Sequence, residues 1–396
     1  MDCQLAIVLY LCYNKNMKKI LKGFWGYIKH LDIILLLSCI VTGVFACVLL
    51  YSLYHSDASL MTPRHYQMQI LTTILGVAAM FITAAINYRV LSKLWFLYAP
   101  LAIVLSLLVF SPIGLTADGT DNTAWIDIGF TTLQPAEFLK IAFIMTFSAH
   151  IAKVGDKLNK LSHLGLLALH AAVPLGIIVV QGDDGTALVF AFMVIMMLFV
   201  AGLKWRYIAA SVAAIPIGGF VLWTYIMKPY QKRRFEVLFD TQLQETSAFF
   251  DQQRASLIAL GSGGVTGRGL FDGEYHYVPA VHTDFIFSYV GMSLGLVGCV
   301  CVIGLFVLIL GKTLHVAMAS KDLLGKTICI GVFSMLLFHT IINIGMVVAV
   351  VPVIGIPLPF YSAGGSSNFA TYLAMGLVLS VYSHKEKKYH MFYSEQ

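Results

Sequence analysis

Leu31-Asp32-Ile33-Ile34-Leu35-Leu36-Leu37-Ser38-Cys39-Ile40-Val41-Thr42-Gly43-Val44-Phe45-Ala46-Cys47-Val48-Leu49-Leu50-Tyr51-Ser52-Leu53-Tyr54 carries one charge, at its second position. A helix needs about 20 mostly apolar residues to cross the hydrocarbon core of a bilayer, whereas a barrel strand needs only about 9–11. Helices and closed barrels are the only spanning structures that satisfy their own backbone in lipid. A continuous run of this length therefore reads as a membrane helix. Nine more such runs follow, at 66–86, 94–110, 136–152, 164–181, 186–202, 207–227, 285–311, 327–351 and 367–383. The expected fold is an all-α polytopic membrane protein of ten transmembrane helices.

The composition of the 396 residues agrees. Apolar residues make up 59% and charged residues 12%, against roughly 45–50% and 25% in a soluble domain. Mean hydropathy is +0.82. So little charge cannot coat two or three soluble domains, and the balance excludes a disulfide-rich secreted scaffold, a disordered chain and a nucleic-acid binder. The net charge of +6 is instead topological. With both termini in the cytoplasm, most Lys and Arg fall in inside segments, as the positive-inside rule requires. An even number of spans returns the chain to the side on which it started. The acids are the mirror image and gather in outside loops, among them Asp118, Asp121, Asp127, Asp183, Asp184 and Asp284.

The domain layout follows. Residues 1–30 form a cytoplasmic segment, 31–383 a ten-helix membrane domain with a long extracellular loop at 228–284, and 384–396 a cytoplasmic tail. The apolar run 5–12 has neither a basic region before it nor a cleavage site, so it is not a signal peptide. Met17-Lys18-Lys19-Ile20 would make a natural start, and 1–16 is expected to be an extension from an upstream start codon. None of the seven cysteines falls in an outside loop, and no pair has metal-ligand spacing.

Chemistry is expected in the outside loops. Pro135 suits a helix start, Glu137 then sits in the first turn, and Lys140 shares its face. The pair is either a structural ion pair or the polar floor of a head-group site. Gln181-Gly182-Asp183-Asp184-Gly185-Thr186 is a tight turn that caps the next helix or binds a cation or hydroxyls. Lys228-Pro229-Tyr230-Gln231-Lys232-Arg233-Arg234 concentrates cations that would meet anionic lipid heads or a pyrophosphate. Apolar positions at Leu243, Phe249, Phe250, Leu257 and Leu260 suggest a segment lying along the interface. In Gly261-Ser262-Gly263-Gly264-Val265-Thr266-Gly267-Arg268-Gly269, successive backbone N–H groups and Arg268 could converge on an anion; the alternative is a purely conformational loop. Asp284, preceded by His282 and Thr283, is either a helix cap or a general base or metal ligand facing a wet cavity. The Pro- and Gly-rich stretch 351–367 is expected to dip into the membrane beside protein.

Taken in order, these pieces resemble the SEDS family (shape, elongation, division and sporulation), its RodA branch most closely, over residues 30–384. The resemblance rests on Trp125-Ile126 with Gly129, on Gln134-Pro135-Ala136-Glu137 with Lys140, and on Asp183 with Gly185-Thr186-Ala187. It continues through Tyr230-Gln231, Ile258–Gly264, Gly267-Arg268-Gly269 and His282-Thr283-Asp284-Phe285-Ile286-Phe287. It ends with Ile342-Asn343-Ile344-Gly345-Met346 and with Pro357-Leu358-Pro359-Phe360 before Gly364-Gly365-Ser366-Ser367. Three positions depart from the family pattern. The stretch Gly291–Gly295 lacks the usual acid, Ala363 stands where Tyr is common, and Asp184 where Leu is usual.

The resemblance implies a peptidoglycan glycosyltransferase of the bacterial cytoplasmic membrane. It would polymerise lipid II on the outer face during cell elongation and shape maintenance, beside a class B penicillin-binding protein and the elongation machinery. By that resemblance Asp284 is the catalytic aspartate and Glu137, Lys140 and Asp183 are functional residues. Arg268, Lys232, Arg233 and Arg234 would face the diphosphate, with His282 and Thr283 beside the substrate. A divalent cation, Mg or Mn, is compatible with the chemistry, and no organic cofactor is expected. Two alternatives stand beside this reading: a lipid II flippase, and a non-catalytic scaffold for the penicillin-binding partner, prompted by the missing acid.

Overall fold

The computed structural model describes residues 26–384 except 57–60, 117–122, 130, 272 and 274. The suggested extension 1–16, Asp118, Asp121 and the tail beyond His384 lie outside the described residues. Each of the ten apolar segments is helical at its core. Six helices are long and apolar enough to cross a membrane: α1 (Ile33–Ser56), α2 (Pro63–Ala85), α5 (Pro135–Val154), α6 (Leu161–Gln181), α12 (Ile286–Ala319) and α13 (Leu323–Val347). Between them come the short α3 (Tyr88–Lys93) and two shorter apolar helices, α4 (Trp95–Leu107) and α7 (Asp184–Val200). Helix α8 (Trp205–Val221) runs into a π-helical turn at Leu222–Ile226, and α14 (Gly365–His384) closes the bundle.

The helix starts are written in the sequence. Asp183 and Asp322 cap α7 and α13 by accepting from Thr186 N and Gly325 N, each at 3.0 Å. Pro63 and Pro135 open α2 and α5, where a missing N–H costs nothing.

The packing is inverted relative to a soluble protein. Ile74, Ile82, Val180 and Val307 are each more than 60% exposed on helix flanks, as expected for surfaces solvated by lipid. Inside the bundle, Thr42, Ser106, Thr313, Ser334 and Thr340 hydroxyls donate to carbonyls four residues back, so these hydroxyls need no water. Gly43 and Gly76 let α1 and α2 press against Tyr372 of α14, where any side chain would collide with its ring or hydroxyl. Asn368 Nδ2 then bonds Thr72 and Thr73 at 3.1 and 3.0 Å.

Two ends of the bundle differ. At one, Arg89 reaches Asp322 at 2.8 Å and Lys312 reaches Asp32 at 3.1 Å. The other, the site end, carries a small antiparallel meander, β1 (Gly114–Thr116), β2 (Thr123–Asp127) and β3 (Thr132–Leu133).

The segment 228–284, the long loop between the seventh and eighth apolar runs, contains helices. It forms α9 (Pro229–Phe239), α10 (Thr241–Thr246) and α11 (Ala248–Ser262). The apolar set of α11 is divided between its exposed and buried faces. Phe249 and Leu257 are 40% exposed, while Phe250, Gln253, Ser256 and Ala259 face the protein. The reason is polar. Gln253 Nε2 donates to Met346 O and Val351 O at 3.0 and 2.8 Å, and Ser256 Oγ to Val347 O at 2.8 Å. Helix α11 thus satisfies carbonyls at the C-terminal end of α13, which an unpaired helix end would leave bare.

Candidate active site

Three consecutive carbonyls hold the segment before α12. His282 O accepts from Ala363 N at 2.8 Å, Thr283 O from Ser362 Oγ at 2.7 Å, and Asp284 O from Asn343 Nδ2 at 2.8 Å. Asn343 Nδ2 also bonds Ile356 O at 2.8 Å. The backbone is thereby fixed between α13 and the 351–364 segment, and the Asp284 carboxylate is left to face a cavity of about 410 Å³. Its walls include Gln134, Arg234, Gln252, Pro357, Ser366 and Ser367. Asp284 is half-buried and accepts no hydrogen bond from the described residues. Desolvation, reinforced by the nearby Asp183 charge, pushes its pKa up to about 6.

A second cavity of about 530 Å³ is lined by Arg64, His65, Gln69 and Asp127 among others. Trp125, Thr283, Ala363, Gly364 and Ser366 line both, so the two are chambers of one cleft. The small Ala363 sits at their junction.

Beneath the cleft lies a buried polar layer. Gln134 bonds Ser366 Oγ through its backbone at 3.2 Å and Asp183 Oδ2 through its side chain at 3.1 Å. Burial pushes the Asp183 carboxyl up, opposed by the bonds from Thr186 and Gln134 and by the Lys140 ammonium. Lys140 Nζ meets Glu137 Oε1 at 3.0 Å and His339 Nε2 at 2.9 Å, and all three side chains are buried. Glu137 and Lys140 therefore underlie the cleft and do not line it.

The expected cation cluster divides. Successive helical residues point about 100° apart, so only one can enter the cavity. That one is Arg234, which lines it and donates to Val353 O at 3.0 Å. Arg233 pairs with Glu236 at 3.5 Å, and Lys232 sits 6.0 Å from the centre of the Trp223 ring. Gln231 bonds Asp184, the extra acid of the turn.

Two further candidates lie away from the cleft. Of the two readings of the glycine-rich loop, the hydrogen bonds support the conformational one, a brace. Arg268 N and Gly269 N donate to Met292 O and Ser293 O, each at 3.0 Å, and Gly264 O and Val265 O accept from Leu296 N and Val297 N. These bonds fill the break in α12 at Gly295, whose φ is +65°. Arg268 itself is exposed, bonds Ser262 O and His276, and lines neither chamber. His282 also lines neither. Its ring packs against His65 in a tilted arrangement, 4.5 Å between centres, and burial beside that ring lowers its pKa to about 4. The missing acid falls at Met292 and Ser293, both fully buried under the brace and outside the cleft. Its absence therefore leaves the groups around Asp284 intact.

Exposed apolar flanks around a bundle with a polar, acid-bearing cleft at one end define an integral membrane protein. The chain belongs to the FTSW_RODA_SPOVE family, described as Cell cycle protein, which matches residues 29–387. This agrees with the resemblance carried by the motifs. Among its relatives, the peptidoglycan glycosyltransferase MrdB of Escherichia coli K12 is 29% identical, covering 92% of this chain and 96% of that protein. The probable peptidoglycan glycosyltransferase FtsW of Geobacter metallireducens is 33% identical, covering 93% and 98%. A chain from a peptidoglycan synthase complex, solved for the structural coordination of polymerization and crosslinking, matches with a TM-score of 0.77 at 27% identity, covering 90% of this chain and 99% of that one. RodA of Thermus thermophilus matches with a TM-score of 0.64 at 26% identity, covering 92% and 97%.

Proposed function

We propose that this protein is a peptidoglycan glycosyltransferase that polymerises lipid II into glycan strands during cell elongation and shape maintenance. In this reading ten helices cross the bacterial cytoplasmic membrane, both termini are cytoplasmic and the cleft faces outward. The observation that carries it is the unbonded Asp284 carboxylate in a cavity that also holds Arg234, in a chain whose relatives are named for this activity.

The chemistry assigns each group a task. An acceptor sugar hydroxyl attacks the anomeric carbon of the donor, and the bond from that carbon to the lipid diphosphate breaks. Asp284 takes the hydroxyl proton, and Arg234 balances the charge on the departing diphosphate. Gln134, Ser366 and Ser367 offer hydrogen bonds to sugar hydroxyls. Asp284 supplies a carboxylate that faces the cavity, and Mg²⁺ is commonly held by one or two carboxylates together with substrate phosphates. Mg or Mn would therefore bind there jointly with the diphosphate and help neutralise it. No described group of three or more His, Cys, Asp or Glu residues is placed to hold a metal by itself. A class B penicillin-binding protein is the expected partner. The crowding of functional groups at one end supports chemistry on one face, whereas a flippase favours charges near the midplane.

The test is purified protein with its partner and labelled lipid II. Polymer should form with the wild type and be lost with Asp284→Asn. Lipid II crossing liposomes without polymer would support the flippase instead.

A further inference from the structure

The strongest unused feature is His339, a buried imidazole on α13 that touches both the ion pair beneath the cleft and the cleft wall. Its Nε2 lies 2.9 Å from Lys140 Nζ, and its Nδ1 lies 3.1 Å from Pro357 O. An ammonium only donates and a carbonyl only accepts. Nε2 must therefore accept and Nδ1 must carry the proton, which fixes the neutral Nδ1–H tautomer. One turn along the same face, Asn343 bonds the carbonyls of Asp284 and Ile356. Pro357 itself lines the Asp284 cavity. Two side chains of one helix face thus hold consecutive carbonyls of one wall, and one of them is in turn held by the Lys140–Glu137 pair.

We infer that His339 is a positioning residue, coupling the buried Glu137–Lys140 pair to the 356–357 wall and so fixing that wall against Asp284. This rests on the reading of the Asp284 cavity as the site of polymerisation. In that role His339 does two things at once. It orients the Lys140 ammonium, whose charge acts on Asp183, and it tethers the loop that faces the base. Both tasks need an acceptor and a donor on opposite sides of a flat group. Gln meets that requirement through its amide, with Oε1 toward Lys140 and Nε2 toward Pro357 O. Leu fills similar space and meets neither demand.

The experiment compares His339→Leu, His339→Gln and Asp284→Asn in purified protein, each normalised to folded material by size exclusion. Initial rates are measured over a range of lipid II concentrations. Misplacement of about 1 Å near the chemistry costs about 10²-fold. His339→Leu should therefore lose on that order in kcat with KM changed less than about threefold, and His339→Gln should recover to within about threefold of wild type. If Asp284→Asn is inactive but His339→Leu keeps wild-type kcat, or if Gln is as poor as Leu, the inference is overturned. A rise in KM alone would overturn it as well, since it would assign His339 to binding. If Asp284→Asn polymerises normally, the reading of the cavity falls and takes this inference with it.

Discussion

The sharpest prediction concerns the pH dependence of the base. Asp284 titrates near 6, about two units above an ordinary aspartate. A base must be ionised, so activity falls as pH drops through that value. At pH 7.5 nearly all of Asp284 is charged, and at pH 5 about a tenth is, so kcat/KM should fall about tenfold across that range. An unshifted carboxylate would lose only about a tenth of its activity over the same interval. The second cause of the shift is the Asp183 charge. Asp183→Asn keeps the helix cap, because Asn caps as well as Asp does, and removes that charge. The acid limb should then move to lower pH without reaching 4, because desolvation is the larger cause. The assay is initial polymerisation rate at saturating and limiting lipid II from pH 4.5 to 8. A wild-type limb near 4, or a limb unmoved in Asp183→Asn, would refute the reasoning. The linkage has the opposite sign for stability. A carboxyl raised in the folded state contributes stability that is present below its unfolded pKa and lost as pH rises through the folded one. Asp284→Asn should therefore melt higher than wild type at pH 7.5 while being inactive.

Three other outcomes follow from the site. Arg234→Ala should lower kcat/KM about 10–100-fold, the worth of a hydrogen bond to a charged group, while Arg268→Ala and Lys232→Ala stay within about threefold in the same assay. Gly267→Ala or Gly295→Ala puts a Cβ against backbone atoms of the brace at φ of +80° or +65°, and should cost more than about 2 kcal/mol, read as a drop in thermal midpoint. Ser293→Glu buries a carboxylate under the brace and should reduce folded yield without raising kcat per folded molecule; a faster enzyme would show that the position feeds the site.

The ten helical segments were legible because lipid imposes a simple length rule on apolar runs. Asp284 was singled out by its motif's resemblance to the family, since a carboxylate at the mouth of a span reads equally well as a helix cap or a base. What the sequence hid depends on direction and distance. Among Lys232, Arg233 and Arg234, helical geometry selects one, and composition cannot say which. The buried face of α11 is set by carbonyls nearly a hundred residues away, so its hydrophobic pattern alone does not reveal it. His339 was not singled out from the sequence, because its partner Lys140 is 199 residues distant. The available signal was its i,i+4 spacing to Asn343, which places an imidazole and an amide on one face of a mostly apolar helix.

Stretches of glycine on an exposed loop are the usual choice for threading in an epitope or a fluorophore. Here that choice would fail. The 263–269 stretch is pinned by backbone bonds on both sides of the Gly295 break, so an inserted tag would separate the two halves of α12 and disturb the half that begins beside Asp284. The neighbouring α10, where Gln242, Glu245 and Thr246 are exposed, is the better place to attach a reporter, because less backbone there is committed to the rest of the chain.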